Sequence, residues 1–281
     1  MDGAVSESAQ PLLTGASETL LIPLACRARA SRDRVLRGFV DREAEAICAR
    51  FGIEFDRYAA DRASLLGVLH RGAYFDERCL DFLRRYPDGT VLNLGAGLNT
   101  AYERIRTRAP DGEWRWIDTD LEPVIALRES VFSDDDRRKT HSLDASDDAA
   151  FSIMIERTAG PLLVISEAVL LYVQPDDVAT VFRLVGERGN AEFLFGWASP
   201  TMMRNSRKHP AMKRLRDQSV SFRSSLKRSR DIQTYHRDWR IISESSRSMT
   251  QTGPSALLLG AVYGIATFGR RLYAMAHARV K

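Results

Sequence analysis

The chain has 281 residues, of which 44% are hydrophobic and 28% charged, with a net charge of +4. This is enough apolar material for one large core, and it excludes disordered, collagen-like and disulfide-framework classes. The mild basic excess alone selects no partner, so where the charges fall matters more than their sum.

Residues 1–17 are small and polar and are expected to be disordered. This leaves 18–281 as a single domain. From Ser17 to Arg50, Leu20, Leu21, Leu24, Ala28, Val35, Phe39 and Ile47 recur at helical spacing with arginines between them. Asp61 to Arg85 reads as further helix, closed by the turn Pro87-Asp88-Gly89. Together 18–88 predict an N-terminal helical cap. Thr90 to Leu94 is a short apolar run leading directly into Gly95-Ala96-Gly97, the pattern of a buried parallel strand entering a tight loop before a helix. Further strands are expected at Trp114 to Asp118, Thr140 to Leu143, Pro161 to Ser166 and Ala191 to Trp197. Helices are expected at Leu121 to Val131 and Gln174 to Glu187, the latter opening on Pro175-Asp176-Asp177. This alternation predicts an α/β, Rossmann-like, doubly wound and mostly parallel sheet. Trp239 to Ser245 and Leu272 to Val280 read as a closing strand pair, with a helix near Pro254 to Phe268. Between them and the fifth strand, 200–237 is dense in cations, among them Arg204, Arg207, Lys208, Arg223 and Arg230. It is read as a helical lid over the carboxyl edge of the sheet. Its charges lack interleaved aromatics, which argues against nucleic acid and leaves a solvated lid or attraction of an anionic partner.

Cys26, Cys48 and Cys79 are odd in number and far apart, so buried free thiols are expected rather than disulfides or a zinc site, and no metal is implied. No charged-then-apolar leader opens the chain. The longest apolar run, Ala256 to Phe268, is broken by glycines and falls short of the roughly 20 residues a bilayer span needs. A cytoplasmic protein with no transmembrane segment is expected.

The chemistry centres on VLNLGAGLNT (91–100). Glycines after a strand allow a sharp turn and close approach of a ligand. A dinucleotide fingerprint needs a third glycine where this chain has Thr100, which disfavours NAD. An acid about 20 residues beyond such a loop can accept from both ribose hydroxyls. Asp118 and Asp120 both lie in that window, and either could instead cap the following helix.

Six segments in order resemble the leucine carboxyl methyltransferase family, in particular its bacterial polyketide-type O-methyltransferase branch. They are ETLLIPLACRARAS (18–31) with HRGAYFDE (70–77), then the glycine loop, WRWIDTDLEPVI (114–125), SLDASD (142–147) and LLVISEAVLLYVQPDDV (162–178). The resemblance implies a class I fold with S-adenosylmethionine (SAM) as cofactor and S-adenosylhomocysteine as product. It implies that Arg71 pairs with the cofactor carboxylate. Arg27 reaches it too, with Arg29 as a competing alignment. Gly95, Ala96 and Gly97 pass under the methionine part, Asp120 (followed by Leu121) holds the ribose, Asp144 and Ala145 meet the adenine, and Glu167 meets the amino group. Tyr172 matches an aromatic that faces the active site or, equally, a core tyrosine. Two departures stand out: Asn99 where an Asp is usual, and Ala73 in place of a second arginine.

Transfer to a carboxylate acceptor needs no base, whereas a phenol would be helped by one. Of the five histidines, His209 and His236 fall in the expected lid and come first. The implied activity is methyl transfer to a small-molecule oxygen acceptor, carboxylate or phenol, of a secondary metabolite. N- or S-methylation, or a SAM-binding module without turnover, remain alternatives. The acceptor and the oligomeric state are not legible.

Overall fold

A computed structural model describes residues 15–32, 39–59, 62–210, 212–215, 219–246 and 272–281. The expected disorder of 1–17 falls largely outside these residues, and the expected helix near 254–268 wholly so.

The chain opens with α1 (Leu21–Arg32), α2 (Arg42–Arg50), α3 (Phe55–Tyr58) and α4 (Arg62–Arg85). Strand and helix then alternate: β1 (Thr90–Leu94), α5 (Ala101–Arg108), β2 (Arg115–Asp120), α6 (Glu122–Glu129), β3 (Arg138–Ser142), α7 (Asp148–Glu156), β4 (Leu162–Ser166), α8 (Pro175–Arg188) and β5 (Ala191–Ala198). A short α9 (Pro200–Arg204), β6 (Arg240–Ser245) and β7 (Tyr273–Val280) complete the order.

The strands form one sheet in the order β3-β2-β1-β4-β5-β7-β6. The first five run parallel, and β7 runs antiparallel to both β5 and β6. The order reverses between β1 and β4, so their carboxyl ends diverge into a crevice, the usual ligand position in such sheets. β1, β4 and β5 are buried along their whole length, as central strands covered on both faces must be.

Local chemistry sets the helix ends. Pro175 opens α8 with Asp176 and Asp177 in the first turn, Val178, Val181, Phe182 and Val185 face the core, and Gly189 ends it at φ +67°. Asp147 caps α7 by accepting from the Ala150 amide. On one face of the sheet the second half of α4 and α5 pack on Val91, Leu163, Leu194 and Met275. On the other, α7, α8 and Trp239 enclose Phe193 and Phe195. A third core holds the cap together and reaches Leu98, Met212 and Val220, closing the cap over the crevice.

The 200–237 segment does lie over the carboxyl edge, but with little helix. Among its described residues the regular pieces are α9 and short 3-10 turns, with irregular chain at 221–226. Dense cations and serines give it no apolar helical stripe. Its backbone bonds instead go to the carbonyls of Leu171, in the turn after β4 (from Arg223 N–H, 2.7 Å), and of Ala198, at the end of β5 (from Leu226 N–H, 3.0 Å). The three cysteines are buried and form no disulfide among the described residues. Burial pushes the Cys48 thiol up to about 12 and raises Cys79 as well, leaving both unreactive. Among the described residues, no helix is long and apolar enough to cross a membrane, and no cluster of three or more acids, histidines or cysteines could hold a metal ion.

β5 and β7 are pinned by a charge cluster. The buried Glu192 carboxylate accepts from His277 (2.7 Å), Arg279 (2.7 Å) and, in bidentate fashion, Arg85 (2.6 and 2.8 Å). Burial alone would raise its pKa, but hydrogen bonds from His277 and Arg85 outweigh that and hold it at about 2, against an ordinary 4.5. A carboxyl depressed in this way stabilises the fold fully above its unfolded value, and that contribution is lost as pH falls from about 4.5 towards 2. Glu192→Gln is expected to cost about 3 kcal/mol near neutral pH. In chemical denaturation followed across pH, the gap from wild type should shrink through that acid window.

Candidate active site

The β1 and β4 carboxyl ends, the cap and the 200–237 segment enclose a cavity of about 1190 Å³. Drug-sized ligands occupy about 300–1,000 Å³, so there is room for a nucleoside-sized ligand and a second small molecule together. Arg27, Arg71, Gly95, Ala96, Gly97, Asp120, Leu121, Asp144, Ala145 and Glu167 all line it, as do Tyr172 and His209.

His236 does not line it. Its ring packs against α8, where a Cβ on Gly186 would come within 2.6 Å of it. The lid expectation failed for this residue because the chain after Ser229 turns back onto α8 on its way to β6.

The two acids at the end of β2 separate cleanly. Asp118 is fully buried and consumed: it accepts from Asn93 (2.8 Å), Trp116 (2.8 Å) and Arg128. Arg128, itself buried, also donates to the carbonyls of Gly97 (2.9 Å) and Asn99 (3.1 Å) and so fixes the glycine loop from below. Asp120 faces the cavity. Its two oxygens accept the amides of Gly97 and Leu121, both at 2.8 Å, and keep further acceptor capacity. Burial raises its pKa, opposed by these two amides.

The loop glycines have physical reasons. Gly95 has φ +69°, and a Cβ there would fall 2.0 Å from Val169 Cγ2, so the β1 and β4 turns touch at this point. Gly97 has φ +50° and lies under Leu20 of the cap. Across the crevice, Glu167 is followed by Ala168 at φ +72°, a left-handed strain that aims the turn after β4 into the cavity.

Glu167 accepts from Arg71 Nε (2.7 Å) and from Asn99 Nδ2 (2.8 Å). Burial would raise its pKa, but Arg71 and Arg27 outweigh this and hold it below the ordinary carboxylate value. For Arg71 burial opposes the charge, yet Tyr273 and Glu167 more than compensate and the pKa is raised. Arg27 pairs with Asp41 at 3.2 Å and donates to the Leu98 carbonyl. Arg29 turns away and donates to Ala59 O, so of the two candidate arginines only Arg27 lies on the cavity. Asp144 is exposed on the rim, with one oxygen engaged by the amide (2.9 Å) and hydroxyl (2.7 Å) of Ser146. The Tyr172 ring meets Phe222 edge-on at 5.4 Å, and burial pushes its phenol up to about 12, so it stays protonated at neutral pH.

The chain aligns with two relatives. It is 31% identical over 199 residues to the "S-adenosyl-L-methionine-dependent methyltransferase dpfgK" of Gibberella zeae, covering 66% of this chain and 65% of that protein. It is also 31% identical, over 175 residues, to the "Tetracenomycin polyketide synthesis O-methyltransferase TcmP" of Streptomyces glaucescens, covering 62% of each. Both relatives are methyltransferases by name, and the chain is similar to them over 62–66% of its length. It spans slightly under two thirds of the length of each of these relatives. No family model matches. A solved structure of a Thermobifida fusca protein named as a methyltransferase superposes with a TM-score of 0.56 at 15% identity, covering 92% of this chain and 94% of that one. At that identity the likeness shows the fold, which is the Rossmann-like fold expected.

The charges on the cavity wall suit a zwitterionic nucleoside. Arg71 and Glu167 offer opposite charges to an amino-acid end, and Asp120 offers acceptor capacity to a diol. A dinucleotide fits less well. Thr100 is buried, its hydroxyl bonded to Asp41, and the amide of Ala101 at the start of α5 is already taken by Asn99 Oδ1 (3.0 Å), leaving a pyrophosphate poorly served. Asn99 also explains its own departure: its amide donates to Glu167, where an aspartate would set two carboxylates against each other. Ala73 does not line the cavity. Sequence reasoning missed Arg128, Ala168 and Tyr273. Only Arg128 carried a hint, one helix turn and more beyond the acidic strand end.

Asp118→Ala should unfold the protein more easily by about 3–5 kcal/mol, because it strands the buried Arg128 guanidinium. Asp120→Ala loses two amide bonds but strands no buried charge, so it should cost clearly less, about 1 kcal/mol. Equal destabilisation by both would overturn this division of labour.

Proposed function

We propose that this chain is a SAM-dependent O-methyltransferase acting on a small-molecule acceptor, a carboxylate or phenol of the secondary-metabolite kind. The reading takes 18–281 as one unit, with 18–88 as cap and 200–237 as lid. The observation that carries it is the cavity-facing Asp120, bonded to the Gly97 and Leu121 amides, in the same crevice as the Arg71–Glu167 pair. The name of the Gibberella protein supports the cofactor, and that of the Streptomyces protein supports oxygen as the methylated atom.

In this reading Arg71 and Arg27 bind the cofactor carboxylate, Glu167 its ammonium, Asp120 the ribose diol, and Asp144, Ala145 and the exposed Leu121 the purine. SAM bound there supplies a methyl group already activated on a sulfonium. The protein's work is then alignment and exclusion of water. Cap and lid provide the exclusion. Tyr172, Phe222 and Met212 give the acceptor end an apolar wall, with the protonated Tyr172 hydroxyl positioning an oxygen rather than removing its proton. His209 is the cavity histidine that could take a phenol's proton. Arg207 and Arg223 also line this end, exposed and with no carboxylate partner among the described residues, which favours an anionic acceptor.

Calorimetric titration tests the proposal. SAM and S-adenosylhomocysteine should bind in the micromolar range and NADH should not. Asp120→Ala should weaken both by about 10- to 100-fold, the worth of hydrogen bonds to a charged group. Binding of NADH alone would point to a reductase. Tight SAM binding without methylation of any acid or phenol across a broad panel would point to a non-catalytic module.

A further inference from the structure

Tyr273 opens β7 at the carboxyl edge of the sheet, in register with Ala198. Its ring does not stay at that position. It leans back across β5, so that a Cβ added at Gly196 would lie 2.4 Å from its hydroxyl oxygen and 3.3 Å from Cζ. The same point is 3.6 Å from the Ala168 amide, at the turn that follows Glu167. Gly196 sits inside a fully buried strand with no positive φ, so backbone freedom does not account for the glycine there. Room for the phenol does.

The Tyr273 hydroxyl lines the cavity and is buried; the nearby Arg71 guanidinium can only donate towards its oxygen, so among the described residues its proton has no acceptor. Native proteins rarely leave a buried hydroxyl so placed, because an unmade bond costs more than a made one gains. Its neighbour is the Arg71 guanidinium, whose positive charge acts on the phenol, with the Glu167 carboxylate beyond. Both oxygens of Glu167 are already engaged, one by Arg71 and one by Asn99. A phenol beside a cation turns its oxygen towards the charge and its proton away. That proton is then offered to whatever anion the same cation attracts.

We infer that the Tyr273 hydroxyl, admitted by Gly196, is a further ligand, beside Arg71 and Arg27, for the carboxylate at the amino-acid end of the bound nucleoside. The inference rests on the SAM reading above. It assigns a binding role to a residue of the last strand, some 200 positions from Arg71 in the chain, and gives the glycine in β5 a purpose.

The test compares two ligands by calorimetry: S-adenosylhomocysteine, which carries the amino-acid end, and 5′-methylthioadenosine, which lacks it. Tyr273→Phe should weaken the first about tenfold, as expected for one bond to a charged acceptor. It should leave the second unchanged, and leave the Tm nearly unchanged, because the proton it removes has no acceptor in the protein and Arg71 keeps its bond to Glu167. Gly196→Ala should show the same selective loss by displacing the phenol. If Tyr273→Phe binds both ligands as wild type does, or loses both equally, or lowers the Tm, the inference is overturned. If wild type binds neither ligand, the SAM reading itself fails, a result separate from failure of the Tyr273 assignment.

Discussion

The crevice depends on one buried guanidinium. Arg128 reaches from α6 beneath the glycine loop, holds the Gly97 and Asn99 carbonyls, and closes on Asp118 at the end of β2. With those carbonyls held from below, the Gly97 amide points across to Asp120 and the Asn99 side chain reaches Glu167. Two acids two residues apart therefore have opposite fates. Asp118 is spent on the scaffold, and Asp120 is left facing the cavity. The arrangement is costly, since a buried ion pair earns little net stability over apolar packing. What it supplies here is a fixed loop geometry.

A second network ties the cap to the sheet. One oxygen of Asp41 caps α2 through the Ala44 amide, and the other meets Arg27, Arg104 and the Thr100 hydroxyl. Arg104 continues to Asp76 on α4 in a bidentate pair (2.7 and 2.9 Å). The helices that roof the cavity and the loop that floors it are thus one charged lattice, and Arg71 and Glu167 sit at its open end. Desolvation there works against every charge, and pairing restores it. The cavity is a place where an opposite pair of charges is held ready at low dielectric, which suits a zwitterion better than a simple anion or cation.

Much of this was legible in the sequence because it is periodic or local. Apolar runs such as Thr90–Leu94 and Leu162–Ser166 mark central strands whatever their neighbours are, and Pro175-Asp176-Asp177 marks a helix start by its own chemistry. The closing pair near 240–245 and 273–280 was visible for the same reason. The place of 200–237 over the carboxyl edge was legible but its lack of helix was not, because its backbone bonds go to Leu171 and Ala198, partners remote in sequence, and its charge density hides the absence of a helical stripe. His236 failed as a site candidate for a related reason: nothing local shows that its turn packs on Gly186. Choosing Asp120 over Asp118 came only from resemblance, since the residue that consumes Asp118 sits on the next helix. Tyr273 gave no local signal at all, because its meaning lies in the diagonal contact with Gly196 on a neighbouring strand.

The most direct measurement is a crystal structure with S-adenosylhomocysteine. The account predicts the ribose hydroxyls within hydrogen-bond distance of both Asp120 oxygens, the amino-acid end between Arg71 and Glu167, and the purine against Leu121 and Ala145. A nucleoside bound elsewhere, or lying in this crevice with its sugar turned away from Asp120, would contradict it.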